Sequence, residues 1–392
     1  VWPDGLVLRA VGAISAAGEG APALFDAALA CVPLGRPVQR YDVQKIRTPI
    51  AALIPPELLA RTLARWPGLD PSVALALAVI DQATGGRPLP PRTALLVGTS
   101  LGCTASWEPW HRALTLSSPS GSGEFSAPPG AAHGDVAWQV AKILGLRGPF
   151  STVSTACTSS PAALIQAADM IHLGEVDDAL VVGVDVLGTF VHAGFDALRA
   201  LSPADRPPTP FGLGRAGLWL GEGAACVWLS REGQGRARLL AGATAGDAFH
   251  MTAPEPGGRG MTLAIERALS AASLAPGEVC WVSAHGTGTA YNDAMEARAL
   301  HRVFAEKMLP VHGLKPVIGH TLGACGVLEV ALIVEALGRG LRPPTYQPCP
   351  LDPELAPLPL DARAEVLEPG PVLSINAAFA GHNTALVLAP LR

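Results

Sequence analysis

The chain has 392 residues, 49% of them hydrophobic, with 43 Gly, 37 Pro and a formal net charge of -5. That length holds two sizeable cores or one large architecture of two similar halves, and the aliphatic content excludes a disordered chain. No Lys/Arg block stands out, so the sequence advertises no nucleic-acid surface.

Seven cysteines at positions 31, 103, 157, 226, 280, 325 and 349 form no CxxC pair. An odd, scattered set fits a reducing compartment and gives no sign of a structural zinc site. The first residues, VWPDGLVLRAVG, lack a basic segment followed by a long apolar run, and no charge-free apolar stretch reaches membrane-spanning length. A soluble cytoplasmic protein without a membrane span is the expectation.

In chain order, GLVLRAVGAI predicts a first strand ending at Ile14, and small residues then lead into a helix through APALFDAAL. Leu58 to Ala83 reads as two helices interrupted at Trp66 to Pro71, and TALLVGTSLG as a buried strand entering a glycine turn. Leu116 to Gly134, rich in Ser, Pro and Gly, reads as a surface or active-site loop, and Asp135 as the cap of the helix after it. DDALVVGVDVL, dense in Val and Leu, suits a central strand covered on both faces. AACVWLS is a further strand, followed by the polar turn REGQGRA, which places a midpoint near residue 235. The second part repeats the style of the first, with strands over LLAGATA, VCWVSA, VLSINAAF and TALVLAP. Its helices are expected over Met261 to Ser273, over Ala294 to Lys307 with Asn292 or Asp293 as cap, and over Leu322 to Leu337. Strands and helices alternate throughout, so the fold is α/β, with halves 1–235 and 236–392 and parallel strands in both.

Three strand ends carry reactive side chains. FSTVST stops at Cys157, and an Ala-rich helical segment follows at once. A cysteine beside a helix N-terminus gains from unpaired N–H groups and the helix dipole, which would favour a thiolate nucleophile, although taken alone such a cysteine reads first as a small buried packing residue. His285 ends VCWVSA inside HGTGTAYNDAMEA, and His320 follows KPVIG immediately before a glycine-containing helical region.

Six segments, STACTSS, GLWLGEGAA, DAFHMTAPEPGG, SAHGTGTAYNDAMEA, KPVIGHTLGACGVLEVA and AFAGHN, stand in the order and spacing of one family. The chain resembles a β-ketoacyl-acyl carrier protein synthase, a condensing enzyme of the thiolase-fold superfamily. That resemblance implies two similar α/β halves in a layered α-β-α-β-α arrangement. It implies that Cys157 accepts an acyl group from a carrier-protein thioester, that backbone N–H groups of Cys157 and Phe379 hold the oxyanion, and that neutral His285 and His320 donate to the malonyl enolate oxygen. It further implies that Lys315 and Glu329 support the site, that Thr287 and Thr289 bond the phosphopantetheine arm, and that Asp293 and Glu296 stabilise the HGTGT loop. No redox cofactor or metal is obligatory in this chemistry, the phosphopantetheine being carried by the acyl carrier protein. A discrete synthase is expected, a homodimer or a heterodimer with a chain-length factor, in fatty-acid elongation or a specialised polyketide or polyene pathway. Because Cys157 is present, it is not a chain-length factor itself. Two other readings stay open: acyl transfer from the same cysteine to a non-malonyl acceptor, and a non-elongating partner in a carrier-dependent complex.

Two regions depart from the family pattern. The usual NSFGFGGTN is INAAFAGHN here, from Ile375, keeping the gating Phe379 but placing Ala378 and Ala380 where glycines stand and His382 where a threonine stands. Alanine narrows backbone freedom, so the gate is expected to move less or to select another acyl group. Gly212 and Ala216 replace two aspartates, which leaves Arg215 in need of another partner.

Overall fold

The computed structural model describes residues 2, 5–116, 132–305 and 307–391. Most of the Ser/Pro/Gly-rich loop expected at 116–134 therefore lies outside the described residues.

The first half supplies β1 (Leu6–Ser15), helix α1 (Pro71–Thr84), β2 (Ala94–Gly98), β3 (Phe150–Val153), helix α2 (Ser159–His172), β4 (Asp178–Asp185) and β5 (Gly223–Ser230). The second supplies β6 (Ala237–Gly246), helix α3 (Arg259–Ala271), β7 (Trp281–Ser283), helix α4 (Ala290–Val303), β8 (Val311–His312), helix α5 (Cys325–Arg339), β9 (Val372–Ala377) and β10 (His382–Pro390). These strands, with a short piece at Gly18–Glu19 on β1, form an 11-stranded sheet in the order β8-β7-β9-β10-β6-β1-β5-β4-β2-β3.

That order contains the same arrangement twice. In one half β2 lies parallel to β3 and β4, while β5 runs antiparallel to β4 and to β1. In the other β7 lies parallel to β8 and β9, while β10 runs antiparallel to β9 and to β6. The halves join where β1 meets β6 antiparallel, Leu6 opposite Leu239 and Leu8 opposite Ala237. Each half is thus a mixed sheet rather than a purely parallel one.

Hydrophobic patterning fixes the layers. Helix α5 is buried at every position from Cys325 to Ala336, the mark of a helix enclosed on all sides. It packs on α2, and together they lie between the two half-sheets, touching β4, β5, β9 and β10. Helix α1 covers the outer face of β1, β4 and β5, and α3 covers β6 and β10 with α4 against it. Reading outward from the centre gives the layered thiolase-like arrangement, helices in the middle, a half-sheet on each side, and helices outside.

Two local expectations change. Helix α4 begins at Ala290 with Thr289 at its cap, four residues before the expected start, because Asp293 turns back to accept from Phe211 N at 2.7 Å and Gly288 N at 3.2 Å. Asp135 is the first helical residue after a Gly134 cap, and its carboxylate accepts from Ala132 N.

The close approach of β2 to the start of α2 depends on Gly98. A Cβ there would lie 2.4 Å from both Ser160 Cα and Ser160 N, atoms of a backbone that has nowhere to move. Gly98→Ala is expected to destabilise the protein by about 1–3 kcal/mol, as overpacking of a dense core does, and to lower the melting temperature in a thermal-unfolding scan. An unchanged melting temperature would contradict this packing account.

Candidate active site

Cys157 stands on the turn between β3 and α2, just before Thr158, the cap of α2. The turn is tight enough to hold Ala156 at φ 53, a left-handed conformation rare for alanine. His285 leaves the end of β7, where Glu296 of α4 accepts from its backbone N–H and from Gly286 N at 2.9 Å. His320 is held by the short strand Leu220–Gly221: its N–H donates to Trp219 O at 2.7 Å and its carbonyl accepts from Gly221 N at 2.9 Å. Gly319 before it has φ 70, and a Cβ there would meet Leu220 O at 2.5 Å, so only glycine lets this turn press against that strand. GLWLGEG is thus the backbone support of a histidine rather than a plain connection.

These three turns bring their side chains together. Cys157 Sγ lies 3.0 Å from His320 Nε2, and the His285 and His320 rings meet edge to face with centroids 5.3 Å apart. All three residues are buried, and they line a cavity of about 230 Å³ with Thr287, Thr289, Tyr291 and Phe379. Thr287 and Thr289 are bonded to each other, Oγ1 to Oγ1, at 2.9 Å. Phe379 stacks on Phe195 at 5.6 Å between centroids.

Behind the histidines lies a buried polar chain. Lys315 Nζ lies 2.9 Å from Glu329 Oε1, and Asn376 Nδ2 donates to Glu329 Oε2 at 2.6 Å and to His285 Nδ1 at 3.4 Å. Because a carboxylate only accepts, the amide NH₂ must face Glu329 and the histidine. His285 Nδ1 is then an acceptor, and its proton sits on Nε2.

Burial raises the Cys157 thiol to about 12, although Lys315 and the backbone N–H groups of Cys157 and Phe379 pull it down. The expected thiolate is therefore absent at neutral pH. The helix start and its dipole are outweighed by the loss of water around sulfur. Burial holds His285 well below its ordinary value of 6.5, helped by Lys315 and His320, and burial and Lys315 do the same to His320. The 3.0 Å contact is consequently a hydrogen bond between neutral thiol and neutral imidazole. Burial works against the charge on Lys315, but Glu329, Cys325 and Glu296 outweigh it and the ammonium pKa rises.

Several supporting residues escaped the sequence reading. Asn376 links Glu329 to His285, and its only sequence signal is its place in INAAF. Cys325 donates its thiol to Cys157 O at 3.1 Å. Asp185, at the end of β4, accepts from Thr99 Oγ1 at 2.7 Å, Leu101 N at 2.8 Å and Gly323 N at 2.6 Å, and so ties the turn after β2 to the residues before α5. Asp293 and Glu296 do grip the HGTGT loop, Glu296 at His285 and Gly286 and Asp293 at Gly288. Arg215 finds its substitute partner in Asp352 and lies 3.8 Å from Asp293.

A buried thiol, two imidazoles and backbone donors around one cavity define a condensing-enzyme site on a thiolase fold. The donor atoms of Cys157, His285 and His320 all lie within 4.8 Å of one another, a thiol and imidazole set that a soft divalent ion such as zinc would also suit. Among known proteins, the beta-ketoacyl synthase N-terminal domain matches residues 51–234 and the C-terminal domain matches residues 236–347. The chain belongs to the beta-ketoacyl synthase family, and it carries the Cys-His-His set of that family's active enzymes. The 3-oxoacyl-[acyl-carrier-protein] synthase 2 of Coxiella burnetii is 31% identical, over 98% of each chain. The ketoacyl synthase alpha subunit of the tetracenomycin polyketide synthase of Streptomyces glaucescens is 30% identical, over 98% of this chain and 96% of that one. A ketosynthase in complex with its chain length factor from Xenorhabdus doucetiae matches with a TM-score of 0.83 and 30% identity, over 99% of this chain and 98% of that one.

Removing the ammonium should leave Glu329 buried without its counter-charge. Lys315→Met is expected to destabilise the fold by about 3–5 kcal/mol, read as a lower denaturant midpoint. The histidines give a pH test. With folded pKa values depressed below 6.5, both rings stay neutral as the pH falls through 6.5, whereas the unfolded chain takes up protons there. Their contribution to stability is therefore intact above pH 6.5 and is lost as the pH falls below it. Imidazole proton NMR should show neither ring titrating near 6.5; a midpoint there would contradict the assignment.

Proposed function

We propose that this enzyme catalyses decarboxylative Claisen condensation of an acyl group held on Cys157 with malonyl-acyl carrier protein, in fatty-acid, polyketide or polyene biosynthesis. The observation that carries this reading is the 3.0 Å approach of Cys157 Sγ to His320 Nε2, with His285 across the same cavity.

In the loading step the sulfur attacks the carrier thioester while its proton passes through His320 to the departing thiolate, so the acyl group changes sulfur and the carrier leaves as a thiol. The tetrahedral oxyanion is met by the N–H groups of Cys157 and Phe379, which already act on Sγ in the resting site. In the second step the malonyl thioester loses CO₂, and Nε2–H of His285 and His320 donate to the enolate oxygen. His320 Nδ1 has no partner among the described residues, so nothing pins that ring to one tautomer. The enolate carbon then attacks the acyl-Cys carbonyl and expels the Cys157 thiolate, which takes up a proton.

In this reading Thr287 and Thr289 bond the phosphopantetheine arm of the carrier at the cavity, Lys315 and Glu329 organise the histidines, and Phe379 gates the approach. The two halves divide at 1–235 and 236–392. The partner is acyl carrier protein, and the assembly is a homodimer or a heterodimer with a chain-length factor, the latter favoured by the likeness to the Xenorhabdus doucetiae complex. A cytoplasmic setting is in keeping with the described residues, where no helix is long and apolar enough to cross a membrane.

Intact-mass measurement with a panel of acyl carriers should show an adduct on Cys157 that is lost in Cys157→Ala. His285→Ala and His320→Ala should each cut CO₂ release by about 10²–10³-fold, the loss typical of removing an oxyanion donor. Absence of any Cys157 adduct, or a product that retains the malonyl carboxylate, would overturn the reading.

A further inference from the structure

The two oxyanion donors come from different parts of the chain. Cys157 N–H belongs to the turn before α2, and Phe379 N–H to the turn between β9 and β10. A donor pair of this kind serves only if both nitrogens hold their spacing to within a fraction of an ångström.

Among the described residues, one hydrogen bond between side chains joins these two turns, between His382 Nδ1 and Thr158 Oγ1 at 2.8 Å. Thr158 is the residue after Cys157, and its hydroxyl also lies 2.7 Å from Thr155 O. Thr155 Oγ1 lies 3.0 Å from the same hydroxyl; with the hydroxyl proton given to Thr155 the oxygen accepts from His382 Nδ1–H, and in the other tautomer Nδ1 accepts from the hydroxyl. His382 opens β10, and its carbonyl accepts from Ala378 N at 2.8 Å, which ties the residue that carries the ring to the Phe379 turn. The protonated ring donates from Nδ1, and the neutral ring donates or accepts there according to its tautomer, so the tie does not depend on the ring's charge. A threonine here, as in the usual family segment, would carry its hydroxyl one bond closer to the main chain.

We infer that His382 is a positioning residue for acyl transfer: its bond to Thr158 sets the spacing of the Cys157 and Phe379 N–H donors. This rests on the acyl-Cys157 reading above. His382 does not line the cavity that holds Cys157, His285 and His320, and in the reading above decarboxylation uses the histidine donors rather than this backbone pair. The two steps should therefore respond differently.

The test compares the full-length protein with His382→Ala and His382→Asn, whose amide Nδ2–H stands at the same bond distance from the main chain as the ring Nδ1–H. Hydrogen exchange is followed in the peptide covering 377–383, acyl loading of Cys157 by intact mass, and CO₂ release from malonyl-carrier protein. His382→Ala should exchange faster in that peptide and load at least ~10-fold more slowly, while CO₂ release stays within about threefold. His382→Asn should recover loading to within about threefold of the parent. Unchanged exchange, unchanged loading, an equal fall of both rates, or no recovery in His382→Asn would each overturn the inference. If the parent protein takes up no acyl group, the proposed function falls, and the exchange arm alone decides: faster exchange in His382→Ala keeps the tie, and unchanged exchange removes it.

Discussion

A single buried ammonium organises this site. Lys315 is enclosed almost completely, and its charge lowers the pKa of Cys157, His285 and His320 together. The charge itself survives burial because Glu329 lies 2.9 Å away. Two unit charges at contact distance attract by about 4 kcal/mol at an effective dielectric constant of 20, and removing each from water costs several kcal/mol. The pair therefore adds little net stability. What it supplies is a fixed positive field in a dry cavity, which adds to burial, the larger cause, in keeping two imidazoles neutral.

The doubled architecture explains how such a site comes about. Corresponding strands β4 and β9 and corresponding helices α2 and α5 converge on the middle layer, so the nucleophile of one half faces the histidines of the other. The polar chain from Lys315 through Glu329 and Asn376 to His285 runs along that seam. Every member of it is buried, so breaking any of these hydrogen bonds would leave a further buried polar group unpaired.

Much of this was legible in the sequence. Alternation of strand and helix patterns gave the α/β class, and reactive residues at the ends of apolar runs marked Cys157, His285 and His320. Local reasoning failed where tertiary contact decides the outcome. The start of α4 was misplaced because the Asp293 side chain caps a backbone far away, at Phe211, instead of its own helix. The thiolate was misjudged because a helix dipole is readable from sequence, whereas the desolvation that defeats it is not. Asn376 and Asp185 were missed for a related reason. Each acts on residues distant in the chain, and neither sits in a pattern that periodicity or spacing singles out.

The turn that carries Phe379 has one further consequence. Ala380 is held at φ 63, ψ 11, a region where an alanine lies about 1–2 kcal/mol above its ordinary conformations. Hydrogen bonds from Ala380 N to Met251 O and from Asp247 N to Gly381 O hold it there. Any motion that carries Ala380 back to an ordinary conformation recovers that energy. An alanine at this position thus raises the energy of this conformation relative to a glycine. Relative to glycine, the balance between this conformation and one with an ordinary backbone at 380 is shifted toward the latter by roughly tenfold for each 1.4 kcal/mol so stored.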